Sequence, residues 1–529
     1  MSASQPRRGP WAEAAAPGPQ PWPGNLFELF RARFPAERGR PFIETEDGRS
    51  YGYADLEETS GRYARLLHDL GVGKGDRVAV QVEKSPEAVF LYLACLRASA
   101  AYVPLNPAYT KAEVAYFLGD AEPSVVVCRP ETEAEIGAVA AAAGVGHVLT
   151  LDQAGGGSLP ERSRGLEPRE GSAPAAPGDL AAILYTSGTT GRSKGAMLTH
   201  RNLASNALAL HKVWGFRPDD VLLHALPLFH THGLFVATHC VLLNGTGMLF
   251  LPRFDAEAVI RLLPRATVMM GVPTFYTRLL AHPDFRAEVC RNMRLFVSGS
   301  APLLEETFHA FEARTGHTIL ERYGMTETGM NTSNPLEGER IAGTVGFPLP
   351  GVEARVADEH GNIVPAGRIG VLEVRGPNVF AGYWRMPDKT KAEFRPDGFF
   401  VTGDVARIDK RGAVHIVGRA KDLIISGGFN VYPKEVELCI DRIDGVAESA
   451  VIGVAHPDFG EAVTAVVERA AGREDVTAEA VIAACKAELA NYKVPKRVYF
   501  VDELPRNTMG KVQKSRLRER YKDAFTSAA

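Results

Sequence analysis

Residues 180 to 195 combine a hydrophobic run with a cluster of small hydroxyl and glycine residues that ends on a lysine. Ala181-Ala182-Ile183-Leu184-Tyr185 reads as a buried strand. Thr186-Ser187-Gly188-Thr189-Thr190-Gly191-Arg192-Ser193-Lys194-Gly195 follows it directly. Glycines let backbone N–H groups turn toward an anion, the hydroxyls add donors, and Lys194 adds charge. That is what a triphosphate needs. A flexible Gly/Ser linker would share the small residues, but it needs no Thr-Thr pair and no lysine behind a hydrophobic strand. The spacing is not the Walker pattern, because Lys194 follows Gly191 by three and no helix opens directly behind it. Ala196-Met197-Leu198 reads as a second strand, so the loop sits on a hairpin. Thr199 then caps a helix with Leu203, Ala207, Leu210 and Trp214 on one face.

Other segments carry chemistry of their own. Tyr323-Gly324-Met325-Thr326-Glu327 places an aromatic ring, a hydroxyl and a carboxylate on a glycine-containing turn. Asp404 follows Gly403, Arg419 follows Gly418, and the two could form an ion pair. His230-Thr231-His232 offers two imidazoles without a third and fourth ligand at suitable spacing, which disfavours zinc. Ser298-Gly299-Ser300 is not a G-x-S-x-G nucleophile elbow, so no triad logic attaches to it.

The elements that must hold these residues alternate between strand and helix. A helix from Ala54 to Leu70, the strand Arg77 to Gln81, helix 86–98 and strand 101–104 predict mainly parallel sheets covered by helices. Residues 151–179, rich in Gly, Pro and Ser, read as a surface connector. From Val414 the texture changes to short strands mixed with helices, as in a small α+β domain. At 529 residues the chain exceeds one ordinary core. The division predicted is a flexible tail over 1–23, with six prolines and five alanines, a large domain over 24–420 and a small one over 421–529.

Composition bounds the function. A net charge of -3 gives no reason to expect nucleic acid or an acidic membrane surface as partner. Six scattered cysteines without a C-x-x-C spacing fit a reducing cytoplasm. The apolar run Val89 to Leu96 is stopped by Arg97, short of membrane-spanning length. Oligomeric state is not legible.

With these segments in view, the sequence resembles the adenylate-forming enzymes that include acyl-CoA synthetases, and most closely the malonyl-CoA synthetases. YTSGTTGRSKG (185–195), ALPLFHTHGLF (225–235), VPTFYTRLL (272–280), SGSAPL (298–303), ERYGMTET (321–328), GFFVTGD (398–404), GRAKDLIISGGFNVYPKEVE (418–437) and PRNTMGKVQK (505–514) carry the likeness, in the family's order. The resemblance implies an α/β fold with a large layered αβ N-terminal domain and a small mobile α+β C-terminal domain. It implies ATP, Mg²⁺ and coenzyme A as reactants and cofactor.

Residue by residue, the resemblance puts Thr186 to Lys194, Ser300, Ala301, Pro302, Glu321, Arg322, Tyr323, Gly324, Met325, Thr326, Asp404, Arg419 and Lys511 at the nucleotide. Thr186 and Glu327 would hold the metal, since a hard cation takes oxygen ligands. Asp404 and Arg419 would hold the ribose hydroxyls. Lys511, on the loop Asn507-Thr508-Met509-Gly510, would steady charge between carboxylate and α-phosphate. His230 would gate the acyl pocket beside Ser300. Lys421 would be a hinge, and Ser426, Gly427 and Gly428 would meet the pantetheine arm.

The acid implied is malonate, with methylmalonate differing by one methyl; another short-chain or aromatic acid is the alternative. A second carboxylate calls for an arginine fork. Arg278 and Arg294 are the two candidates, with Arg278 favoured. A non-catalytic nucleotide-binding regulator on the same scaffold would lack the lysine or the metal carboxylate, yet Lys511, Glu327 and Asp404 are present.

Overall fold

The computed structural model describes residues 10–11, 24–186, 193–427, 429–507 and 510–525. They fall into two compact units, a larger one within Arg8–Ala354 and Val374–Phe400, and a smaller one within Arg355–Glu373 and Val401–Ala529. Of the expected tail only residues 10–11 are described, and the loop residues Ser187 to Arg192, Gly428, Thr508 and Met509 lie outside the described residues.

Two sheets build the larger unit. The first has seven strands, in the order Gly382–Tyr383, Lys194–Thr199, Leu180–Thr186, Ala101–Pro104, Arg77–Gln81, Val125–Cys128 and His147–Thr150. The second has nine, and its middle is the parallel run Ile319–Met325, Leu295–Ser298, Val268–Gly271, Val221–His224 and Gly247–Phe250. Helices on parallel strands follow from the alternation in the sequence. The helix Pro86–Ala98 is buried at all of its positions. Its apolar run is therefore a core element enclosed on every side. No helix among the described residues is long and apolar enough to cross a membrane.

The stretch 151–179 departs from the expected surface connector. Ser158–Ser163 is helical, and Leu159 and Ser163 are buried. Farther along, the buried guanidinium of Arg97 donates to Gly171 O at 3.0 Å and to Arg169 O. A buried arginine has five N–H groups to satisfy, and loop carbonyls supply acceptors that no run of Gly and Pro announces.

In the smaller unit the strands Val446–His456 and Gly460–Arg469 pair antiparallel, with Arg497–Val501 parallel to the second. Helices Pro433–Ile440 and Ala478–Glu488 contribute Val436, Ile440, Val481 and Cys485 to its own apolar core. The family fold is thus present as a large α/β and a small α+β part. All six cysteines are free and buried.

Candidate active site

The hairpin that carries the glycine-rich loop forms as its sequence dictates. Leu180–Thr186 and Lys194–Thr199 pair antiparallel with Thr186 opposite Lys194, so the loop's two feet are held together. Thr199 caps the helix His200–Val213, its side chain accepting from Asn202 N. On one foot Tyr185 donates to Asp120 at 2.6 Å, and on the other Tyr116 donates to Ser193 O at 2.6 Å. Thr186 is half-buried and Lys194 buried.

Lys194 is paired. Its Nζ lies 3.2 Å from Glu393 Oε1 and 4.1 Å from the centroid of the Tyr383 ring. The Tyr383 hydroxyl reaches Glu393 Oε2 at 2.7 Å and Glu327 Oε1 at 3.1 Å. Burial, then the Glu327 charge, push the Tyr383 phenol far up, so it stays a donor. Burial alone would raise Glu393, but Lys389, Tyr383 and Lys194 outweigh it and hold the carboxyl low. Glu327, expected at the metal, is buried on the turn between Ile319–Met325 and Gly329–Ser333. Thus Lys194, Glu393, Tyr383 and Glu327 form one network; Glu393 and Tyr383 belong to no motif read from the sequence.

The residues of that turn are tightly spaced. A Cβ on Gly324 would stand 2.1 Å from Gly329 O, so no side chain fits there. Tyr323, Met325 and Thr326 are half-buried. Glu321 is buried and accepts from Leu303 N at 3.2 Å, tying the strand to the loop after Pro302.

Strand alternation turns Arg322 to the opposite side from Glu321 and Tyr323. Its side chain is buried, and Nε and Nη2 have no hydrogen-bond partner among the described residues. The guanidinium occupies the space that a Cβ on Gly299 would take. Beside it, Ser300 adopts a left-handed φ of 71°, and its Oγ lies 3.4 Å from His232 Nδ1. The buried His232 Nε2, Ser298 Oγ and Thr231 Oγ1 also lack partners among the described residues. Burial brings Arg322 down to about 9, still cationic near neutrality. Burial, then Arg322, push His232 well down, so it is a neutral imidazole. A cation with open donors beside a neutral imidazole and hydroxyls is a receptor for an anion. Sequence reasoning placed Arg322 at the nucleotide with its motif; the period of two along the strand turns its side chain away from those of Glu321 and Tyr323.

The two arginines proposed for the acid stand differently. Arg294 is a correction: its Nε donates to Asp220 Oδ1 at 2.7 Å, Nη2 donates to Asp220 Oδ2, and Nη1 donates to Trp214 O at 3.2 Å. That fork is committed to a buried aspartate and is not open to a substrate. Arg278 is exposed on the helix Pro273–Ala281. His230 is half-buried, and its Nδ1 accepts from His232 N at 3.2 Å. Ala301 and Pro302 continue the loop from Ser300 toward the helix Glu305–Thr315.

In the smaller unit Asp404 and Arg419 face each other across an antiparallel pair, with Arg419 Nε 2.6 Å from Asp404 Oδ1. Lys511, though exposed as a residue, has a crowded ammonium. Desolvation first, then Arg419, bring it down to about 8, against the pull of Asp404. Lys421 lies in the short turn Ala420–Asp422, and Asp422 pairs with Arg518 of the last helix. Ser426 is buried, while Gly427 is exposed with a φ of 58° and donates to Phe459 O at 2.9 Å.

Known proteins resemble this chain in sequence and in fold. The AMP-binding enzyme family matches residues 30–384, and the AMP-binding enzyme C-terminal domain matches 435–511. A malonate–CoA ligase of Arabidopsis thaliana is 35% identical over 94% of this chain and 89% of its own length. A feruloyl-CoA synthase of Amycolatopsis is 37% identical over 90% of this chain and 94% of its own. The crystal structure of ATP-bound MatB from Rhodopseudomonas palustris is 56% identical, with a TM-score of 0.93 over 95% of this chain and 99% of that one. The chain therefore belongs to the AMP-binding enzymes of the adenylate-forming superfamily, beside their acid–CoA ligases and near the malonyl-CoA synthetases.

Proposed function

We propose that the protein converts malonate, ATP and coenzyme A to malonyl-CoA, AMP and pyrophosphate. The observation that carries the choice of acid is Arg322, a buried guanidinium with unfilled donors among the described residues. A monocarboxylate spends its one charge on the reacting phosphorus and leaves such a cation uncompensated. A dicarboxylate supplies the missing anion at its far end. Arg278 is a second, exposed cation for the same carboxylate. The malonate–CoA ligase and MatB likenesses support this reading, and the feruloyl-CoA synthase likeness is the reason it needs a test.

In the first step a carboxylate oxygen attacks the α-phosphorus and pyrophosphate leaves. The chain's part is positioning and electrostatics. Residues 186–194, Ser300, Ala301, Pro302, Glu321 and 323–326 hold the nucleotide, Asp404 and Arg419 take its ribose, and Lys511 faces the charge that develops at the α-phosphate. Glu327 and Thr186 offer oxygen only and would hold a magnesium ion, which would supply charge neutralisation to the phosphates. His230 closes the acyl pocket against the phosphate side.

In the second step the coenzyme A thiolate attacks the acyl carbonyl and AMP leaves. Ser426, Gly427 and Gly428 serve that step, with Lys421 as hinge between a large domain over 24–420 and a small one over 421–529. Pyrophosphate release measured across a panel of mono- and dicarboxylic acids, with and without coenzyme A, is the test. Malonate standing first, with thioester formed only when coenzyme A is present, is the expected result. Preference for an aromatic or unbranched monoacid would overturn the reading.

A further inference from the structure

The turn that carries Lys511 is a short ladder. Asn507 N donates to Lys511 O at 2.9 Å, Gln513 N donates to Pro505 O at 2.7 Å, and Arg506 pairs antiparallel with Val512 between them. The feet of the ladder are anchored. Leu504 and Leu517 are buried in one apolar cluster with Ala450, Ile452, Val454 and Val466, and Val512 packs against it. Alternation along the ladder therefore turns Val512 and its partner Arg506 inward, both half-buried, and Asn507 and Lys511 outward, both exposed. On the outer side Asn507 Oδ1 also accepts from Lys511 N at 2.9 Å.

Facing inward, Arg506 meets two carboxylates. Glu448 and Glu468 are cross-strand partners on Val446–His456 and Gly460–Arg469, and like charges so placed repel. Arg506 Nη2 pairs with Glu448 Oε2 and lies 3.9 Å from Glu468 Oε2. Glu468 Oε2 in turn accepts from Leu504 N at 2.9 Å, at the start of the ladder. The other arm of the guanidinium turns back: Nη1 donates to Gly510 O at 3.0 Å. Gly510 has a left-handed φ of 72°, and its carbonyl belongs to the peptide that joins it to Lys511. One rigid fork thus ties two strands of the sheet to the peptide unit from which the lysine projects.

We infer that Arg506 is a positioning residue for Lys511: anchored on the Glu448–Glu468 pair, its guanidinium fixes the Gly510–Lys511 peptide and so the direction in which the ammonium extends. A lysine side chain is long and flexible, and a fixed backbone beneath it removes freedom that would otherwise be lost as the reaction proceeds. The bond to Gly510 O is charge-assisted, which makes it stronger than the backbone bonds of the ladder. An arginine present only to neutralise two facing acids would serve the sheet alone, and the turn would be a bystander. This inference rests on the adenylating role proposed for Lys511 above.

The test uses the full chain and two assays: malonate-dependent ATP–pyrophosphate exchange, and thioester formation from preformed malonyl-adenylate and coenzyme A. Wild type is compared with Arg506→Met, with Arg506→Met combined with Glu448→Gln, and with Lys511→Ala. In Arg506→Met, exchange should fall by about 10- to 100-fold while thioester formation holds within about twofold. The second assay depends on the Ser426 to Gly428 loop of the same small part, so it also reports that this part is folded. Adding Glu448→Gln removes the facing charges: it should restore the thermal midpoint and leave exchange low. Recovery of exchange in the double variant would make Arg506 a charge neutraliser and overturn the inference, as would equal losses in both assays or full exchange in Arg506→Met. Full exchange in Lys511→Ala would overturn the role given to Lys511 itself. Wild type without malonate-dependent exchange would overturn the substrate reading before any variant is measured.

Discussion

Gly299 and Arg322 compete for one space: a Cβ on Gly299 would come 2.4 Å from Arg322 Cζ. The loop after Leu295–Ser298 thus keeps a glycine where the guanidinium of the adjacent strand must lie. Gly299→Ala should displace that guanidinium and raise KM for the acid by about a hundredfold, with a smaller change in KM for ATP. Steady-state kinetics with each substrate varied in turn would show it, and an equal rise in both constants would detach Arg322 from acid binding.

Arg322→Leu should lower kcat/KM for malonate by about 10² to 10³, the effect expected when a buried charge loses its partner. Arg278→Leu should cost less, about tenfold at most, because that guanidinium is solvent-exposed and its pairing is screened. The ranking is read from the two mutants side by side; the reverse order would return the distal carboxylate to Arg278.

Lys511→Ala should reduce carboxylate-dependent ATP–pyrophosphate exchange by about 10² to 10³, while thioester formation from preformed acyl-adenylate continues. The pH profile adds an independent readout. The ammonium is the acting form and its value is brought down to about 8, so exchange should decline as pH rises through about 8. Lys511→Arg, which stays charged, should move that limb upward, and the alanine variant should lack it.

Asp220→Asn should destabilise the larger unit by about 3–5 kcal/mol in denaturant titrations, since it strands the Arg294 charge. Burial alone would raise Asp220, but Arg294, the Arg217 N–H and Thr267 outweigh it and hold the carboxyl below the ordinary carboxylate range. A depressed folded value means that this contribution is complete above the unfolded carboxylate range and is lost as pH falls through the folded value. The gap between variant and wild type should therefore be full at neutral pH and narrow in acid.

Local features were legible in the sequence where one segment decides its own shape. The hairpin around the glycine-rich loop needs only two short apolar runs and the residues between them, and Thr199 caps its helix with Asn202 three positions on. The Asp404–Arg419 pair follows from strand register. What escaped was long-range. Arg506 and Glu448 are 58 positions apart, and Lys194 and Glu393 199 apart, so nothing nearby in the chain marks either pair. Arg294 looked open to a ligand because Asp220, which claims it, lies 74 positions earlier. Arg322 was visible but assigned by its motif, when the alternation of a strand separates what its backbone does from where its side chain goes.

Lys194 begins from an occupied state, its ammonium 3.2 Å from Glu393. On the proposed function, a triphosphate that reaches it swaps one anion for another instead of meeting a bare charge. The same holds in reverse when pyrophosphate departs, because Glu393 stands ready to neutralise the lysine. Departure leaves no naked cation behind in a buried place, so the strength with which the loop grips phosphate need not become a brake on turnover.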